Sequence, residues 1–468
     1  MVTFFCSITI LIIGYLLYGK YIDKIFGSEQ KRETPAHSKA DKVDYIPLKS
    51  YKNAFIQLLN IAGVGPIFGP ILGALYGPSA FIWIVFGAIF AGGVHDYLTG
   101  MISLRNGGAH VPELAAKYLG KSFNHLVIIF TLLLLILVGT VFVSAPAKMI
   151  QTTINTEDGS YSYILMLIFV YYIVATILPI DKIIGKLYPV LGVLLILSAL
   201  FIFCGLLMSS SQIPELTLTN LHPEKISYFP GIFLTISCGA LSGFHATQSP
   251  IISRTINNEN DGRKIFYGMM ILEAIIAMIW ACAAMTLVDQ QELSSVLKQG
   301  GPAAVVSMIA NHTLGHIAGT IAIVGIIVLP ITSGDTSFRS ARMIIGDFLK
   351  FDQKKIRSRF SIAIPLFFIS YCLTKVDFEI IWRYFSWANQ TIAAISLWIG
   401  TIYLKKKEKN FYIALLPAIF ITWVISTYIL TADKIGLGLD LNIASIIGLI
   451  SALFCAYKAL KTNPKVTN

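Results

Sequence analysis

Asn60-Ile61-Ala62-Gly63-Val64-Gly65-Pro66 interrupts an apolar run that starts at residue 53, and Cys238-Gly239-Ala240-Leu241-Ser242-Gly243-Phe244-His245 interrupts another about 180 residues later. A helix crossing a bilayer keeps its backbone polar groups satisfied internally. Irregular backbone at that depth is tolerated only where it lines a cavity or is buried in protein. Paired breaks at matching positions of two halves are the sequence mark of a carrier's binding site.

The rest of the chain fits a membrane setting. Of its 468 residues, 55% are hydrophobic and 13% charged, with a mean hydropathy of +0.72. Soluble domains carry about 25% charge. The net charge of +11 does not indicate a nucleic-acid partner, because the basic residues lie in loops between apolar spans. The six cysteines fall in apolar spans with no metal-ligand spacing, and read as small packing residues. No metal and no cofactor are expected beyond a coupling ion. The apolar start, Met1 to Tyr18, lacks a basic lead and a small-residue cleavage site, so it reads as a retained helix.

Spans of about 20 apolar residues are predicted at 2–19, 53–77, 79–103, 124–150, 161–179, 186–208, 229–250, 265–287, 317–335, 358–374, 379–402, 411–430 and 442–460. With the N-terminus outside and the C-terminus inside, the outer loops hold only Lys148, Lys225, Lys298, Lys375 and Lys434. That asymmetry is the positive-inside pattern. The expected fold is an all-α polytopic membrane protein of about 13 transmembrane helices. Its core is a LeuT-type 5+5 inverted repeat, and each repeat opens on a broken helix. The divisions are an N-terminal helix and linker at 1–52, repeats at 53–208 and 229–402, and two closing helices at 403–468. The polar stretch from Gly27 to Lys52 reads as a mobile linker, and a short surface helix is expected from Pro302 to His312.

Candidate cargo contacts follow from the breaks. Freed N–H groups near Ala62, Gly63 and Gly65 suit a carboxylate at a half-helix start. The second break adds Gly239, Ser242, Gly243, His245 and Gln248, and Asn389-Gln390 place two carboxamides in a later span. The spacing of Gly65, Gly69, Gly73 and Gly77 also suits close packing against another helix.

Candidate ion-coupling residues are the rare polar and acidic groups inside spans: Asp96 beside His95, His245, Glu273, and the set Thr332, Ser333 and Asp335. A charge at the bilayer centre costs at least ~2.5–3.5 kcal/mol, so each acid needs a partner, water or a proton. His245 can relay protons near neutral pH or serve as a hydrogen-bonded core residue. Hydroxyls with one carboxylate can hold Na⁺. Equally, Asp335 can pair with Arg339 one turn on, and Arg383 can pair with Glu379.

Five blocks resemble the carbon starvation protein A family: Asn60 to Gly73, Phe90 to Gly108, Cys238 to Ala246, Thr332 to Phe348 and Phe385 to Ala394, with a further likeness from Gly14 to Phe26. The resemblance implies a bacterial inner-membrane carrier for nutrient scavenging under carbon limitation. Peptides or pyruvate are the implied cargo and proton coupling the usual proposal, with Na⁺ as the other candidate. The chain is shorter than the family's long members. The expected partners are thus a small-molecule substrate and the lipid bilayer, with no nucleic acid. A channel would show conductance without saturation. A nutrient sensor would usually carry an added signalling domain. An intramembrane enzyme would need a nucleophile or metal constellation, and the sequence displays none.

Overall fold

The computed structural model describes residues 1–41, 44–153, 160–177, 180–208, 212–353, 355–433 and 436–461. They are helical almost throughout, with a single isolated bridge between Leu48 and Ile256 among the described residues. The helices are α1 (Val2–Phe26), α2 (Ser50–Ala62), α3 (Gly65–Gly73), α4 (Ala80–Arg105), α5 (Val111–Tyr118), α6 (Asn124–Thr153), α7 (Ser160–Ile177) and α8 (Ile180–Met208). They continue as α9 (Tyr228–Thr235), α10 (Gly243–Ser253), α11 (Glu259–Leu287), α12 (Gln290–Leu349), α13 (Ile356–Leu373), α14 (Phe378–Lys406), α15 (Tyr412–Thr431) and α16 (Leu441–Lys461). Among the described residues, eight helices are long and apolar enough to cross a membrane, and nine if the bent pair Ser50–Ala62 and Gly65–Tyr76 counts as one span. The chain is a multi-pass helical membrane protein.

Both predicted breaks are present. The first bends its helix pair by 45°. Gly63 takes φ 48°, ψ −138°, a conformation an L side chain resists, and Pro66 then opens α3 where no backbone donor is needed. The second unwinds completely between Thr235 and Gly243, through Gly239 at φ 86°.

Two expectations about continuity change. The span placed at 317–335 belongs to a helical run reaching Leu349, so Thr332, Ser333 and Asp335 lie mid-helix rather than at an end. That run also includes the surface helix expected from Pro302, set off by turns at Gly301 (φ 67°) and Gly315 (φ 73°). A Cβ at either glycine would meet nothing within 4 Å, so backbone conformation rather than space requires glycine there.

The stretch after α1 is not a mobile linker. Thr34, Pro35 and Ala36 are buried, and the Thr34 hydroxyl donates to the Ile256 carbonyl at 2.6 Å. The Leu48 amide donates to the Thr255 carbonyl at 2.9 Å, and Asn53 Nδ2 donates to the same oxygen. Glu259, fully buried, anchors the arrangement: it accepts from Arg105 Nε at 2.6 Å and from the Glu29 amide at 2.8 Å. Arg105 also donates to the Gly27 carbonyl and lies over the Phe26 ring at 4.1 Å. A charge run read as solvated is held because its carbonyls and amides match buried charges from α4 and α11. We call this side of the bundle the linker face.

Candidate functional site

The two broken helices cross at their breaks. The glycine ridge of α3 lies against the unwound second break. A Cβ on Gly65 would sit 2.3 Å from Cys238 Sγ, one on Gly69 3.1 Å from the Thr235 carbonyl, and one on Gly73 2.3 Å from Ile236 Cδ1. Gly243 packs against α14 just as tightly, with a Cβ position 2.0 Å from the Asn389 carbonyl oxygen.

Unwinding leaves backbone groups that need partners in a dry interior. Side chains from two other helices supply them. The Trp83 indole donates to the Ile236 carbonyl at 2.8 Å, and Gln390 Nε2 donates to the Phe233 carbonyl at 2.8 Å. Asn389 Oδ1 accepts from the Phe244 amide at 2.7 Å and from the Ser242 hydroxyl at 3.2 Å. Asn389, Gln390 and Ser242 are thereby bonded to one another's elements, while Asn389 Nδ2 and Gln390 Oε1 stay without a hydrogen bond.

At the crossing lies a chain of buried titratable groups. His95 Nδ1 is 2.8 Å from Asp96 Oδ1, and His245 Nδ1 is 2.8 Å from Asp96 Oδ2. On its other edge, His245 Nε2 is 3.4 Å from Glu273 Oε2. Neither that nitrogen nor either Glu273 oxygen has a hydrogen bond of good geometry. His245, Asp96 and Glu273 are fully buried, and His95 nearly so. Asp96 comes from α4, His245 from α10 and Glu273 from α11, so three residues singled out separately meet in one cluster. An unpartnered buried polar group costs several kcal/mol in an apolar medium, so the open edge of Glu273 is chemically demanding.

The third constellation is separate. Asp335 Oδ2 pairs with Arg339 Nη2 at 3.8 Å, one helical turn away, and Arg339 also donates to the Ala175 carbonyl. This is the i,i+4 pairing weighed from sequence. Thr332 donates to its own helix at the Leu329 carbonyl. Ser333 donates at 2.7 Å to the Leu59 carbonyl on α2, one turn before the first break. Glu379 lies outside the residues whose side chains are described.

Sequence reasoning passed over three buried groups. Gln57 and Asn60, one turn apart on α2, are fully buried with every side-chain polar atom lacking a hydrogen bond. Their polarity within an apolar span was the available signal. Cys238 read as packing, yet its sulfur lies beside His245 and Glu273. Ala62 is buried at the end of α2, Gly63 lies against the Phe142 ring, and Gln248 donates to Thr247 with its Oε1 unpartnered.

A cavity of about 310 Å³ opens on the side away from the linker face. Lys148, Lys298 and Asp377 lie among its walls, and it reaches Phe68 and Val141. Val141 adjoins Phe142, whose ring covers Gly63 and meets Phe244 edge-on at 5.8 Å.

Broken, crossing helices around a buried ionisable cluster define a polytopic membrane protein with a polar centre. The chain matches the carbon starvation protein CstA family at residues 1–160, 145–307 and 294–428, and it belongs to that family. It is 42% identical over 364 residues to an uncharacterized membrane protein of Haemophilus influenzae, covering 67% of this chain and 98% of that one. It is 24% identical to the peptide transporter CstA of Bacillus subtilis, over 97% of this chain and 95% of that one. To the pyruvate/proton symporter BtsT of Escherichia coli it is 26% identical, over 59% of this chain and 48% of that one.

Proposed function

We propose that this chain is a secondary active carrier that imports a small carboxylate-bearing nutrient, a peptide or pyruvate, across the bacterial inner membrane. Alternating access would occur in a bundle of about 13 helices built on a LeuT-type 5+5 inverted repeat. The repeats would span 53–208 and 229–402, flanked by 1–52 and 403–468, with the N-terminus outside and the C-terminus in the cytoplasm. The observation carrying this reading is His245 held between Asp96 and Glu273 where the two broken helices cross. Relatives named as a peptide transporter and as a pyruvate/proton symporter support it.

In this reading cargo lies at the breaks, against Ala62, Gly63, Gly65, Gly239, Ser242, Gly243, His245 and Gln248, with Asn389 and Gln390 shaping the second break. The coupling ion is H⁺, carried on the Asp96–His245–Glu273 chain. Na⁺ at Thr332, Ser333 and Asp335 is the other arrangement, favoured by the Ser333 bond to Leu59 beside the first break. Relatives named as transporters support reading the chain as a carrier and not an enzyme.

The test is uptake of labelled pyruvate and of a labelled dipeptide into proteoliposomes, under an imposed proton gradient and then a sodium gradient. Saturable uptake of one cargo following one gradient is expected. Uptake of neither by folded protein, or conductance without saturation, overturns the reading.

A further inference from the structure

We propose that Cys238, His245 and Glu273 form a buried site for a thiophilic divalent metal ion of the zinc type. Cys238 Sγ, a ring nitrogen of His245 and a Glu273 oxygen all lie within 4.8 Å of one another. Four-coordinate zinc with bonds of about 2.0–2.3 Å holds its ligands about 3.3–3.8 Å apart. The His245 Nε2 to Glu273 Oε2 distance of 3.4 Å already matches that edge. The Cys238 sulfur, 3.5 Å from the Ser242 hydroxyl, is the third donor of the set.

Three further observations point the same way. His245 Nε2 and both Glu273 oxygens are buried with no hydrogen bond of good geometry, and Nε2 faces Oε2 at 3.4 Å, so lone pairs of both side chains converge on one place. His245 Nδ1 is held by Asp96 Oδ2 at 2.8 Å, and Asp96 Oδ1 by His95. A carboxylate on the far ring nitrogen orients Nε2 toward a metal and raises its basicity. Gly65 leaves the space that Cys238 Sγ occupies. A side chain there would fill the junction.

Charge also balances. Coordination removes the proton from the Cys238 thiol. Thiolate and carboxylate then offset the two positive charges of the ion, and neutral His245 completes three protein ligands. A neutral inner sphere suits a bilayer interior, and three ligands plus one exchangeable water make an open site. Sulfur among the donors selects Zn²⁺, Cd²⁺ or Co²⁺ over Mg²⁺ and Ca²⁺. If the chain is a carrier as proposed, the bound ion blocks the His245–Glu273 edge and inhibits transport. The site itself does not depend on that reading.

The experiment titrates Co²⁺ into detergent-purified full-length protein bearing a tag without histidine. The expected result is the visible d–d absorption of four-coordinate cobalt together with a thiolate-to-cobalt charge-transfer band, saturating at a single equivalent and displaced by Zn²⁺. Cys238→Ser loses the charge-transfer band. Glu273→Gln keeps it with weakened affinity, and Asp96→Asn weakens affinity about 10–100-fold. A variant with serine at Cys6, Cys204, Cys282, Cys372 and Cys455 retains the full spectrum. Size-exclusion profiles establish that each variant is folded. No charge-transfer band in the folded wild type, or a band that survives Cys238→Ser, overturns the proposal. Because this readout is spectroscopic, it stands or falls whether or not the protein moves pyruvate or a dipeptide.

Discussion

Asn389 Oδ1 accepts the backbone amide of Phe244 from 145 positions away in sequence, at 2.7 Å, and so closes the N-terminal end of the half-helix that carries His245. Replacing it with leucine strands a buried N–H, at a cost of about 1–3 kcal/mol. Asn389→Leu is expected to lower the thermal unfolding midpoint in detergent by several degrees. Asn389→Ser, which still offers an acceptor, recovers part of the loss. A midpoint for Asn389→Leu equal to that of the wild type would show that the bond is dispensable.

The coupling role proposed for Glu273 can be tested apart from translocation. Glu273→Gln preserves shape and removes the charge facing His245. If Glu273 carries the coupling ion, the variant loses gradient-driven accumulation at least tenfold while retaining counterflow exchange of preloaded cargo. Loss of both activities together would make Glu273 part of the cargo site instead.

The glycines should rank by what a Cβ meets. Gly243→Ala drives a methyl into the backbone oxygen of Asn389, which cannot yield. Gly69→Ala meets the Thr235 carbonyl at 3.1 Å, a milder contact, and Gly325→Ala meets nothing within 4 Å. Yield of monodisperse protein should fall in the order Gly325→Ala, Gly69→Ala, Gly243→Ala. Any other order contradicts the packing described.

His110 gives an acid-sensitive point outside the spans. Burial pushes its pKa well below the ordinary value, and nearby Arg254 adds to the effect. The folded protein therefore binds fewer protons than the unfolded chain once pH falls below about 6.5. Stability is full above that value and declines as pH drops toward the folded pKa. Protection factors of residues 106–118, referred to the intrinsic exchange rate at each pH, should fall as pH drops from about 6.5 to 5.5, and His110→Asn should flatten that response. An unchanged slope in the variant would locate the acid sensitivity elsewhere.

The Arg105–Glu259 pair supplies a further check. Removing one partner of a buried pair costs about 3–5 kcal/mol. Glu259→Ala should make the backbone of residues 27–40 cleavable by protease at a concentration that leaves the wild type intact.

The breaks were legible because glycine and proline act locally: Gly63 and Pro66 declare their conformations without reference to any neighbour. The acids of the cluster were legible one at a time, since each is polar within an apolar span. Their meeting was not, because Asp96, His245 and Glu273 come from three helices whose rotations follow from packing. The nearness of Cys238 to His245 and Glu273 was hidden for the same reason, since it has no ligand spacing along the chain. The segment after α1 misled differently. Its charges look solvated in sequence, and only the fold reveals Glu259 and Arg105 waiting for its backbone.

That segment gives α1 a mechanical role. Thr34 and Leu48 tie the linker face to the turn after α10 through the Ile256 and Thr255 carbonyls, next to the point where Asn53 meets Thr255. Through Arg105 and Glu259 the chain just after α1 is fastened to α4 and α11 at once, so the first helix is moored to the bundle by buried charge and not by apolar packing alone.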